Sequence, residues 1–69
     1  MSTDAERAAR LAASTIAQRR SLKLAREAQA IAKPGDKAKV YDWVLTTKYD
    51  EIFEQEYRRE VAARLAAQA

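Results

Sequence analysis

The chain has 69 residues, a net charge of +3, and neither cysteine nor histidine. That length allows one small domain, and the missing residue types exclude a disulfide, a thiol nucleophile and a Cys/His metal cage. Sixteen residues are alanine, so large apolar side chains are few, and a fold this small ordinarily needs a staple or a partner.

In chain order, the first element is a helix. Thr3-Asp4-Ala5-Glu6 matches the T-x-x-E capping box, which starts a helix near Asp4. Alanine, arginine, glutamate, lysine, leucine and glutamine then keep helix propensity high. The only proline and the only glycine are adjacent, in Lys33-Pro34-Gly35-Asp36. Proline disfavours helical geometry at Lys33, glycine permits a turn, and Asp36 can cap a second helix. The expectation is an all-α antiparallel hairpin, with helices over roughly 4–32 and 37–67, forming a single domain over 1–69. Thr46 and Thr47 are the one weak point in the second helix, where Thr47-Lys48-Tyr49-Asp50 offers a fresh cap and a third helix. One continuous helix is the preferred reading.

All five aromatic residues (Tyr41, Trp43, Tyr49, Phe53, Tyr57) lie in this second helix, and no alanine occurs from Lys39 to Val61. Every fourth residue is large and apolar: Tyr41, Leu45, Tyr49, Phe53, Tyr57, Val61 and Leu65. A spacing of four advances about 40° per step on a helix of 3.6 residues per turn, so early and late rungs are expected to face different directions. Trp43 lies about 160° from Tyr41 and Leu45 and about 180° from Ile52. One neighbouring helix covers a stripe little more than about 100° wide. A second neighbour is therefore expected, and the expected assembly is a homodimer resembling a four-helix bundle. On the first helix, Ala13, Ala17, Leu24, Ala28 and Ile31 cluster within about 60° and are expected to take the rings, with Leu11 and Leu22 on another side.

Charge is unevenly distributed. From Arg7 to Arg26 there are six basic residues and no acid, and from Asp50 to Glu60 five acids and two arginines. This asymmetry fits a nucleic-acid-binding half, or two halves of opposite sign lying side by side. No glycine-rich phosphate loop or nucleophile elbow is present, and the chain reads as no enzyme, with no cofactor and no metal. The acids Asp50, Glu51, Glu54, Glu56 and Glu60 read as a solvated face, partly as helix-surface pairs Glu54–Arg58 and Glu60–Arg64. No apolar run is long enough for a signal peptide or a membrane span, and a mostly alanine face would insert poorly into a bilayer surface. A soluble, cytoplasmic life without a membrane partner is expected.

A protein-interaction module remains. Trp43 and Tyr57 would anchor it, with Tyr41, Tyr49 and Phe53 behind them, and Arg19, Arg20 and Arg26 would steer an acidic target. The rival reading is a basic dimeric DNA-binding regulator, with Arg19, Lys23 and Arg26 neutralising phosphates.

In size, in alanine- and arginine-rich style, in the corner "KPGD" and in the ring-bearing "YDWVLTTKYDEIF", the chain resembles small helical host-takeover proteins encoded by bacterial viruses. Among these it is similar to the anti-quorum-sensing type, short helical dimers that bind a LuxR-type transcription activator of the host. The resemblance implies anti-activation, in which the regulator is held away from its promoters, within the cytoplasm of the host cell. It also implies inhibition of a motor ATPase that drives pilus assembly. It assigns no residue.

Overall fold

The structure, a computed structural model, describes residues 3–68. Helix α1 spans Thr3–Ile31, a single 3-10 turn spans Pro34–Asp36, and helix α2 spans Lys37–Gln68. The two helices fold back on each other as the sequence leads one to expect, and α2 runs unbroken through Thr46 and Thr47, both of which are exposed. Intrinsic propensity on either side outweighs the small penalty of two β-branched residues.

The corner is made by proline. Lys33 is extended (φ −63°, ψ 145°), as the residue before a proline must be. The Asp36 N–H then donates to the Lys33 carbonyl at 2.8 Å, closing the turn that leads into α2. Two expectations change here. Gly35 has no positive φ, and a Cβ added to it would meet nothing within 4 Å, so glycine is not required. The corner is held by a reciprocal clamp instead of by an Asp36 side-chain cap. Lys37 Nζ donates to the Gln29 carbonyl at 2.8 Å, and Gln29 Nε2 donates to the Lys37 carbonyl at 3.3 Å.

The seam between the helices is a row of small side chains. Ala9, Ala13, Ala17, Ser21 and Ala25 are the fully buried residues of α1, spaced every four. This corrects the expected face: Ala13 and Ala17 belong to it, but Leu24 is at the edge, Ile31 is 89% exposed, and Ala9, Ser21 and Ala25 take their places. Two parallel rows of α2 meet it. One is Val40, Val44, Lys48, Ile52, Glu56 and Glu60, and the other is Tyr41, Leu45, Tyr49, Phe53, Tyr57 and Val61; all are buried or half-buried. Rows of i+4 residues are natural ridges on a helix, and a ridge without side-chain bulk is a groove for two others. The drift of about 40° per step is shared by both helices, so the ring ladder keeps its contact with α1 from Tyr41 to Val61 instead of turning away. Only its last rung, Leu65, is exposed.

The result is a rod of 52 × 16 × 13 Å with a radius of gyration of 15.3 Å. A compact chain of this length has a radius near 11 Å. Its accessible surface is 5162 Å², against roughly 4400 Å² for a compact protein of its mass. No described helix is long and apolar enough to cross a membrane.

Candidate protein-interaction surface

A rod of two helices has two outer faces and two grooves, one on each side of the seam. The contacts across the seam say which residues share each groove.

The first groove holds the rings. The hydroxyls of Ser14 and Tyr49 are hydrogen-bonded at 2.9 Å, which ties the α1 row containing Ser14, Gln18 and Leu22 to the aromatic row of α2. Tyr49 and Phe53 stack with centroids 6.0 Å apart and planes 17° from parallel, and Phe53 and Tyr57 repeat this at 6.0 Å and 6°. The i+4 spacing puts successive rings one turn apart on the same side, where neighbouring faces touch. An open hollow of about 550 Å³ lies along this groove, lined by Ser14, Gln18, Leu22, Leu45, Tyr49 and Asp50 among others. Tyr41, Tyr49, Phe53 and Tyr57 are all half-buried here.

The second groove holds charge. Glu56 is buried, with its side chain only 7% exposed, and its Oε1 lies 3.4 Å from Nη1 of Arg20 and 3.5 Å from Nη1 of Arg59. Side chains lean toward the N-terminus of their own helix. In an antiparallel pair that lean brings Arg20 and Glu56 toward each other across the seam. The two arginines stay more than half exposed, so water screens the pair and its net contribution is modest. Arg20 is thus tied to α2, and does not stand free beside Arg19 and Arg26 as the sequence suggested. The expected surface pairs Glu54–Arg58 (2.6 Å) and Glu60–Arg64 are both present, and Lys48–Glu51 joins them at 3.3 Å.

Trp43 stands apart from both grooves. It is 67% exposed on the outer face of α2, on the row Lys39, Trp43, Thr47 and Glu51. Tyr57 is fourteen residues further along the same helix, about 21 Å away at 1.5 Å per residue, and turned into the ring groove. The two expected anchors therefore belong to different surfaces. Arg19 and Lys23 lie one turn apart on the exposed outer row of α1, and Arg26 is exposed at the end of the row of Ser14, Gln18 and Leu22 that edges the ring groove; none makes an ion pair among the described residues. Leu11, on the same outer row, is 70% exposed.

Glu56 is the residue that sequence reasoning missed. It was expected on a solvated acidic face, and its row, which holds Lys48 and Glu60 beside Val40, Val44 and Ile52, does not single it out. Among the described residues no cluster of three or more acidic side chains is placed to hold a metal ion. Comparison with family models, with curated proteins and with solved structures finds no match for this chain.

Proposed function

We propose that the protein is a small non-enzymatic interaction module that pairs with itself and covers the working surface of a host regulatory protein. A quorum-sensing transcription activator of the LuxR type is the proposed class of target, and a pilus-assembly ATPase a further one. The observation that carries the reading is Trp43. An indole two-thirds exposed on a rigid helix, away from the hairpin's own packing, is a side chain of the type that dominates binding energy at interfaces. Lys39 and Glu51 on its row supply a polar rim, and Arg19 supplies charge for steering an acidic partner. Trp43→Ala should abolish capture of the target by the tagged protein while far-UV circular dichroism stays unchanged, because the indole supports no contact of the fold. Undiminished capture by that variant would overturn the proposal.

The second reading, a basic dimeric DNA-binding protein, is favoured by one observation: Arg19, Lys23 and Arg26 are exposed and have no acidic partner among the described residues. On that reading duplex DNA shifts in a gel at low salt, the shift weakens steeply as salt rises, and the triple alanine variant loses it. A chain that gives no shift at low salt retires it.

A further inference from the structure

The proposed self-pairing leaves open which face of the rod is used and in which direction. Resting on that reading, we infer that two copies meet through the ring groove, related by a two-fold axis parallel to the helices, so that α1 of each lies across α2 of the other.

The choice of face follows from charge. On the Glu56 side the charges are neutralised within the chain, through Arg20–Glu56–Arg59 and Glu60–Arg64. On the ring side, among the described residues, only Glu54 is neutralised, by Arg58 of its own row. The α1 edge of that groove carries Arg10 and Arg26, on the same row as Ser14 and Leu22 and both exposed. The α2 edge carries Asp42 and Asp50, with Glu54 bound to Arg58 on the same row that borders the rings. Arg10, Arg26, Asp42 and Asp50 make no ion pair among the described residues. The ring groove is thus an apolar strip with one unpaired basic edge and one acidic edge.

The direction follows from symmetry. A two-fold axis parallel to the helices keeps each residue at its own height and exchanges left for right, so the basic edge of one copy faces the acidic edge of the other. A two-fold perpendicular to the helices within the interface would set α1 on α1, basic on basic. Height is fixed by the contacts Gln29–Lys37 and Ser14–Tyr49. Interpolating between them puts Arg26 within a turn of Asp42, and the lean of Arg26 toward the N-terminus of α1 closes the remaining offset. The elongated rod has surface enough for a pairing of two copies. Two such rods, brought to the surface expected of a compact protein of twice the mass, would bury on the order of 3000 Å² in total. That is the range of obligate homodimers. Trp43 stays outside this interface, available to a target.

The test is a charge swap read by sedimentation equilibrium of the full chain. Arg10→Glu with Arg26→Glu should raise the dimer dissociation constant at least about tenfold, and so should Asp42→Lys with Asp50→Lys. Mixing the two variants should restore a dimer near wild-type strength, because under this axis each variant's reversed edge meets the other's reversed edge and the native edges meet each other. A mixture that stays monomeric overturns the axis even if each variant dissociates alone. A wild-type chain that sediments as a monomer overturns the inference outright while leaving Trp43-dependent capture standing. Loss of that capture with the swap behaving as described sinks the binding reading alone.

Discussion

Replacing Ala17 by leucine should lower the thermal midpoint by about 4–24 °C. Ala17 sits at the centre of the small-residue row, fully excluded from solvent, between Ala13 and Ser21. The rows of α2 reach the seam only because α1 offers no side chain beyond Cβ there. Added methylenes have no void to fill, and a rod two helices thick has no third layer to absorb a shift. Overpacking of this kind costs about 1–3 kcal/mol, and each kcal/mol moves the midpoint of a domain this small by roughly 4–8 °C. The separation it forces would also strain the Ser14–Tyr49 hydrogen bond one turn away. Ala17→Ser provides the control. It copies Ser21 at the next position of the same row, and should cost only about 0.5 kcal/mol, the difference in helix propensity. Melting followed by circular dichroism separates the two outcomes, and a leucine variant as stable as the wild type would show that close approach of the helices is not what holds the hairpin.

Ile52→Ala should cost about 2–3 kcal/mol. Among the described residues Ile52 is the only large apolar side chain that is buried rather than half-buried, at 5% exposure. Removing its branched chain forfeits transfer energy and leaves a gap beside Glu56, whose carboxylate would then be hydrated from a new direction. The low end of the range for isoleucine-to-alanine changes applies, because a thin rod collapses around a gap more readily than a thick core. A domain of this size has on the order of 3–10 kcal/mol of stability in all, so such a loss is a large share of it. Urea unfolding checks the prediction through the midpoint at constant slope. A variant with an unchanged midpoint would place the main stabilising contacts elsewhere, in the ring row.

The stacked rings contribute through their flanks. Tyr49, Phe53 and Tyr57 stack one on the next, and Tyr49 is also tied to Ser14. This is why they stay half-exposed in the isolated hairpin and why the same strip is available to a second copy. The face that shields α1 and the face that would meet a partner are two sides of one row.

Much of the fold was legible before any coordinates. The two helices, the corner at Lys33-Pro34 and the unbroken course of α2 follow from local chemistry: propensity, one proline, and runs of apolar residues at helical spacing. The exposure of Trp43 was legible too, since its angular distance from Ile52 holds for any helix. What the sequence by itself did not determine is which rows meet. A wheel drawn at a fixed angle per residue treats each helix as straight and alone, and so assigned Leu24 and Ile31 to the seam and turned the late rungs of the ladder away. Only the pairing of two helices decides that a row of alanines every fourth residue forms a groove and that the partner rows follow the same drift. The same holds for Glu56 and Arg20. Each reads as an exposed charge on its own helix, and becomes a buried carboxylate and its partner only when antiparallel packing aims their side chains at one another. Local energies set the elements, while steric fit between two surfaces, a property of neither helix alone, set the seam and the grooves.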